Sequence, residues 1–125
     1  MALPYLLRIF QSFDVTVKFF HNDSAGLVCA PSLAEIGVNL FNFSFRHSLT
    51  EMKKLTANSV TLLGNVPPHD VLSVGTAEDV RNSVKAALDA VIDRRRIIMS
   101  CGGGMSPGIS TDNIEAFLLA ARTQS

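Results

Sequence analysis

The sequence predicts an α/β fold in which one helix is followed by four βα units around a parallel sheet. Short apolar, β-rich runs alternate along the chain with capped amphipathic segments, and strands that alternate with helices form parallel sheets. The run Ile97-Ile98-Met99 is apolar without alternation, as expected where helices cover one face of a sheet and a core fills the other. Polar residues cluster where the predicted strands end, at the edge that carries the chemistry of parallel α/β folds.

Each strand is predicted from a β-rich run that stops at polar or turn-forming residues. The predicted strands cover residues 15–20, 38–43, 59–63 and 96–100. The predicted helices cover residues 3–13 and 29–36, and three more begin at caps supplied by Ser48, Thr76 and Thr111. Gly37 closes the second helix, and Ser48 with Glu51 has the spacing of a capping box.

Apolar residues three or four positions apart predict which face of each helix is buried. Helix by helix, the residues predicted to face inward are Leu6, Leu7, Phe10 and Phe13; Met52 and Leu55; Val80, Val84, Leu88 and Val91; and Ile114, Phe117, Leu118 and Ala121. Thr76 is followed by the acidic residues Glu78 and Asp79, which favour the first turn of a helix.

The composition indicates an apolar domain without the basic surface that nucleic acid would require. At 125 residues the chain is expected to be one small domain, residues 1–125, or a piece of a larger one. It is 47% hydrophobic and 18% charged, which is more apolar than an average soluble domain. Lys and Arg number 11, as do Asp and Glu, so the balanced charge gives no electrostatic footprint for nucleic acid.

The chain shows no sign of export or of membrane insertion. Its two cysteines, Cys29 and Cys101, do not make a disulfide framework. The first residues lack the basic region and the long apolar region of a signal peptide. No apolar run approaches the roughly 20 residues that are needed to span a bilayer. We therefore expect a cytoplasmic protein with no membrane partner.

The most informative segment is the glycine run Gly102-Gly103-Gly104, which follows the last predicted strand and precedes the last helix. In parallel barrels, a strand, a backbone-exposing loop and a helix N-terminus often hold anionic groups. The run lacks the Gly-Lys-Ser/Thr of a Walker A loop, and Pro107 occupies the third glycine position of GxGxxG. On the glycines alone, a ligand-binding loop and a plain surface turn both remain open.

Candidate chemical residues follow the predicted strands. His21 and Asp23 come directly after the first strand, and such a pair can ligate a metal or act as acid and base. A capping loop explains the same residues, and His-x-Asp alone favours that simpler interpretation. Cys101 is either a third ligand from the neighbouring loop or a buried apolar residue. Asn65 either presents its amide to a ligand or binds its own turn.

Taken together, several segments resemble the uroporphyrinogen decarboxylase family, which also holds the corrinoid-dependent methyltransferases that act on thiols such as coenzyme M. The order and spacing of these segments match over nearly the whole chain. They are Pro4-Tyr5-Leu6, residues 17–23, residues 33–39, Leu63-Gly64-Asn65-Val66-Pro67-Pro68, Gly75-Thr76-Ala77-Glu78-Asp79-Val80, and the Gly102–Gly108 loop with Thr111-Asp112-Asn113-Ile114.

The resemblance implies that this chain corresponds to the C-terminal half of a (β/α)8 TIM barrel. The decarboxylase's late histidine lies in a Gly-His-Gly loop, and that position falls on Gly103. The methyltransferases hold zinc with His-x-Cys and a distant Cys. Their ligand positions would fall on His21, Asp23 and again Gly103. The chain therefore departs from both patterns at the positions that decide the chemistry.

Three functions are compatible with this resemblance. The first is the rim of a decarboxylase-type active site, with a porphyrin carboxylate as small-molecule substrate and no cofactor. His21 and Asp23 would be its catalytic residues, and Asn65, Cys101 and Gly102–Gly104 would bind the ligand. The second is a variant methyltransferase with a metal site. The third is a non-catalytic remnant. We expect an isolated chain that is inactive, binds no metal and forms a homodimer; if active, it would be a carboxy-lyase.

Overall fold

A computed structural model describes residues 2–24 and 28–123 of the chain. Within them, four parallel strands form one sheet in the order β1-β2-β3-β4. The strands are β1 (Phe19–Asn22), β2 (Leu40–Phe43), β3 (Thr61–Val66) and β4 (Ile97–Cys101). The predicted parallel α/β fold is confirmed. β1 begins four residues later than predicted, and β3 continues through Gly64 and Asn65.

The helices connect the strands as the predicted βα units require. The described residues form five α-helices: α1 (Leu3–Gln11), α2 (Leu33–Ile36), α3 (Leu49–Leu55), α4 (Ala77–Asp89) and α5 (Thr111–Thr123). A 3-10 turn at Ala30–Ser32 leads into α2, and a π-helical segment at Pro68–Ser73 follows β3. Within the described residues, no helix is both long enough and apolar enough to cross a membrane.

The helix ends follow local chemistry. Gly37 ends α2 with φ at 102°, a conformation in which a residue with a Cβ is strained. Ser48 accepts a hydrogen bond from the backbone N–H of Glu51. Thr76 and Asp79 form a full capping box at α4, and the hydrogen bonds from Thr76 lower the pKa of the Asp79 carboxyl.

The turn before β4 is held by an arginine and a carboxylate. Arg95 donates to Asp93 from both its side chain and its backbone. These hydrogen bonds, the side-chain one first, lower the pKa of Asp93 to about 2. This turn lies at the amino-terminal end of the sheet, away from the glycine loop that follows β4.

In the part of the chain that the structure describes, the helices cover one face of the sheet and leave the other open. Strand residues on the covered face are buried against α2, α3, α4 and α5. They are Phe41, Phe43, Leu62, Val66 and Cys101. On the other face the paired residues His21, Asn42, Leu63 and Ile98 lie side by side, because residues in register share a face. In a closed barrel this open face would line the interior.

Two helix predictions are wrong in part, although Phe117 and Ala121 of α5 pack against the core as predicted. Phe13 lies beyond the end of α1 and is 61% exposed. In α5 the buried residues are Asn113, Ala116 and Ala120, whereas Ile114 and Leu118 are exposed.

The orientation of α5 follows from one polar anchor. The Asn113 amide donates to the carbonyls of Leu72 at 2.9 Å and Gly75 at 2.8 Å, which turns this side of the helix inward. The cap also differs from the prediction, because Ser110 rather than Thr111 accepts a hydrogen bond from the Asn113 backbone N–H at 3.2 Å.

Candidate functional site

A buried amide connects all four strands at the carboxyl end of the sheet. Asn42 on β2 is only 3% exposed. Its Nδ2 donates to the carbonyl of Leu63 on β3 at 2.6 Å and to the carbonyl of Cys101 on β4 at 3.1 Å. Its Oδ1 lies 2.6 Å from Nδ1 of His21 on β1. His21, Asn42 and the two carbonyls therefore form one hydrogen-bonded polar group at the carboxyl end of the open face.

His21 is the exposed member of this group. It pairs in register with Asn42 and lies at the edge of the sheet. Its ring nitrogen Nδ1 is bonded to the amide, so the imidazole is anchored while its other side remains accessible. A histidine held through one ring nitrogen can use the other for acid–base chemistry or ligand binding.

Asp23 meets the glycine loop although β1 and β4 are the two outer strands of the sheet. A Cβ placed on Gly103 would lie 2.3 Å from Oδ1 of Asp23. Gly103 also has φ at +95°, which disfavours any side chain there. The Asp23 carboxylate thus occupies the space that a side chain at position 103 would take. Asp23 and Gly103 therefore meet at the carboxyl end of the sheet, the end at which β1 also places His21.

The loops after β2, β3 and β4 pack against one another and are hydrogen-bonded around this end of the sheet. A Cβ on Gly102 would lie 2.5 Å from the backbone nitrogen of Phe45, so only glycine allows the two backbones to approach. Gly102 N–H donates to the carbonyl of Val66 at 2.9 Å. The Asn65 side chain donates to the carbonyl of His47. The Asn65 amide is therefore hydrogen-bonded to a neighbouring loop, and it helps to hold that loop in place at the rim.

Gly104 differs from its two neighbours in the loop. It is exposed, and a Cβ built there would meet nothing within 4 Å. Its backbone is the accessible part of the predicted ligand loop.

Cys101 does not join the other predicted site residues. Its side chain lies on the covered face, where it is 6% exposed and packs among Val66, Val80 and Ala116. Its thiol contacts the carbonyl of Gly103 at 3.2 Å. Adjacent strand residues point to opposite faces, so the Cys101 side chain faces away from His21. The prediction that Cys101 binds a ligand is corrected: its thiol belongs to the core. Only the backbone carbonyl of Cys101 contacts the polar group, as an acceptor for Asn42.

Sequence reasoning missed Asn42. The signal was one amide inside the otherwise apolar strand Leu40-Phe41-Asn42-Phe43. A buried polar side chain needs hydrogen-bond partners, so an asparagine in such a run indicates a structured polar contact. The partners themselves lie 21 and 59 residues away and could not be read from the local sequence.

The four parallel βα units, with one face covered by helices and polar groups at the carboxyl ends, define this chain as part of a (β/α)8-type barrel. A methyltransferase from Methanosarcina mazei shares the fold with a TM-score of 0.82 at 21% identity. The likeness covers 96% of this chain and 34% of that one. At this level of identity the comparison shows the fold alone.

The family model described as "Uroporphyrinogen decarboxylase (URO-D)" matches residues 1–124. The chain belongs to the uroporphyrinogen decarboxylase family, and the resemblance drawn from the sequence is confirmed. It is 24% identical over 124 residues to a uroporphyrinogen decarboxylase from Dichelobacter nodosus (strain VCS1703A). That match takes in 99% of this chain and 35% of the relative, so the chain spans about a third of the enzyme's length.

The zinc site of the family's methyltransferases does not fit the residues present. Two of the implied ligand positions carry His21 and Asp23, but the third is Gly103, which has no donor side chain. Within residues 2–24 and 28–123, no three His, Cys, Asp or Glu side chains are grouped to hold a metal ion. Zinc in proteins takes three or four N, S or O ligands.

We predict that the chain binds no stoichiometric zinc. Elemental analysis of protein purified without chelator is expected to find well under one zinc per chain, because the last thiolate position is occupied by Gly103. His21→Ala is expected to leave this value unchanged. One zinc per chain that is lost in the His21→Ala variant would contradict the prediction and support the methyltransferase alternative.

Proposed function

We propose that this chain is the C-terminal part of a uroporphyrinogen decarboxylase-like barrel and supplies half of its active-site rim. The observation that carries the proposal is the polar group at the mouth of the open face, where His21 is hydrogen-bonded to Asn42 and Asp23 meets the loop at Gly103. The isolated chain is expected to be inactive, because four strands enclose no substrate on their open side.

The chemistry of the mouth suits decarboxylation. The carbon that loses carbon dioxide must take up a proton, and His21 and Asp23 are groups that can deliver or accept one. The two side chains are held in different ways. Nδ1 of His21 lies 2.6 Å from Oδ1 of Asn42, whereas the Asp23 carboxylate lies against the glycine loop. We assign both to proton transfer or to hydrogen bonding with the substrate.

The character of the open face supports a porphyrin carboxylate as substrate class. Phe19 is 46% exposed and Ile98 is 48% exposed on this face, so the apolar part of a tetrapyrrole ring would find apolar surface there. The Gly104 backbone and the exposed Arg46 after β2 lie at the carboxyl end. Backbone N–H groups and an arginine are partners for carboxylates.

A chimeric enzyme tests this proposal. The portion of the Dichelobacter nodosus decarboxylase that matches this chain is replaced by residues 1–124. Uroporphyrinogen decarboxylation is measured by oxidising the products to porphyrins and separating these by their fluorescence. We expect the chimera to bind uroporphyrinogen and to decarboxylate it more slowly than the parent enzyme, since position 103 carries glycine in place of histidine. The isolated chain is expected to show no turnover.

Variants of the chimera separate chemistry from folding. Asp23→Asn is expected to lower decarboxylation by about 100-fold or more, the usual scale for a lost acid or base. Asp14→Asn, an exposed carboxylate before the same strand, is the matched control and should leave the rate unchanged. A chimera that is folded by circular dichroism but binds no uroporphyrinogen would refute the proposed substrate class.

A further inference from the structure

The orientation of the Asn42 amide is determined by its partners. Both neighbours of Nδ2 are backbone carbonyls, those of Leu63 and Cys101. A carbonyl oxygen only accepts, so the NH2 group must face these two atoms. The reversed amide would place its oxygen against two carbonyl oxygens, so that a buried acceptor faces no donor. Oδ1 is therefore the atom that faces His21.

This orientation determines which nitrogen of His21 carries hydrogen. Oδ1 of Asn42 only accepts, and it lies 2.6 Å from Nδ1 of His21. Nδ1 must therefore be the N–H donor, whether the imidazole is neutral or protonated. In the neutral ring the hydrogen on Nδ1 leaves Nε2 as the bare nitrogen. Nε2 is then the ring nitrogen that can accept a hydrogen bond.

We infer that Asn42 is a positioning residue that holds His21 as the Nδ1–H tautomer and makes Nε2 the proton-accepting atom of the site. Such a nitrogen accepts a hydrogen bond from a ligand N–H or O–H group. The tautomer follows from the contacts of Asn42 alone. The use of Nε2 toward a substrate rests on the proposed function. A wrong substrate class would therefore leave the tautomer assignment standing.

The tautomer is measured directly in the unmodified protein. The chain is labelled with ¹⁵N, and the imidazole nitrogens are observed in a long-range ¹H–¹⁵N correlation spectrum at a pH where histidine is neutral. The chain has three histidines, and the His21→Gln variant identifies the signals of His21. We expect the bare-nitrogen resonance at Nε2 and the protonated resonance at Nδ1. The Nε2–H pattern at His21 would overturn the inference without any variant of Asn42.

Two asparagine variants distinguish positioning from a general structural effect. Asn42→Leu removes the acceptor, and His21 is expected to shift to the Nε2–H form that predominates for free histidine in water. Asn39→Leu is the matched control, because Asn39 also joins two segments by side-chain hydrogen bonds, to Thr16 at 2.7 Å and Lys18 at 2.8 Å. It should leave the His21 pattern unchanged. A tautomer shift of equal size in both variants would assign the effect to loosening of the sheet and contradict a specific part for Asn42.

Discussion

In light scattering at micromolar concentration, the isolated chain is expected to have the mass of a dimer. The reason is its uncovered surface. Within the described residues, β1 and β4 are the outer strands of the sheet, so each has one edge of N–H and C=O groups that no other strand pairs. Such edges associate with other strands. The open face adds Phe19 and Ile98, each about half exposed.

A second copy of the chain can cover both the unpaired strand edges and the open face. Two sets of four parallel strands related by a twofold axis along the barrel would place β4 of one copy beside β1 of the other at two symmetric seams. Twofold dimers are the commonest closed assemblies, and such pairing would enclose both open faces. The exposed residues Ile114 and Leu118 of α5 lie on the β4 side and would extend this interface.

A matched pair of variants tests where association occurs. Ile98→Asp places a charge on the open face and is expected to shift the dimer toward monomer by at least tenfold in dissociation constant. Ile92→Asp is the control, because Ile92 is fully exposed between α4 and β4 and lies outside the proposed interface. A folded monomer across the whole dilution series would refute self-association.

Exchange of α1 between copies is the competing arrangement. In the structure α1 packs on its own chain, with Phe10 in an edge-to-face contact with Phe20 at a ring distance of 6.3 Å. Deleting residues 2–11 separates the two arrangements. Loss of the dimer on this deletion, with Ile98→Asp still dimeric, would assign association to α1.

Alanine substitutions along the glycine loop are expected to have sharply different effects on stability. Gly102→Ala should destabilise the protein most, by about 3 kcal/mol, because its Cβ would lie 2.5 Å and 2.6 Å from backbone atoms of Phe45. Backbone atoms cannot rotate away, so the loops after β2 and β4 must separate. Overpacking of this kind usually costs ~1–3 kcal/mol. Urea unfolding at one fixed protein concentration measures the difference.

Gly103→Ala is expected to destabilise less, by about 1–2 kcal/mol. Its positive φ of +95° strains any residue with a Cβ, but the atoms that its Cβ would meet belong to the Asp23 carboxylate, which can rotate. Combining Gly103→Ala with Asp23→Ala should remove the steric part and leave the backbone part. The two substitutions are therefore expected to be non-additive.

Gly104→Ala is the internal control of the series, since its Cβ would meet nothing within 4 Å. A change within about ±0.5 kcal/mol is expected, as for most surface positions. Equal losses at positions 102 and 104 would show that the loops after β2 and β4 are not packed together in solution.

Much of the fold was predictable because its signals are local. Gly37 closes α2 and Thr76 caps α4, since a cap needs only residues within one turn. The alternation of β-rich runs with helical segments predicted the parallel sheet, and parallel strands necessarily bring His21 and the Gly102–Gly104 loop to the same end. The family followed from the order of these same segments.

The tertiary structure alone decided which side chains are buried and which of them contact one another. Asn113 turned α5 so that Ala116 rather than Ile114 packs inward, because the carbonyls it binds lie 41 and 38 residues away. Strand pleating placed the thiol of Cys101 in the core. Asn42 became the centre of the site because its partners lie on three other strands. Local propensity carries no information about such contacts, since they exist only once distant strands are paired in register.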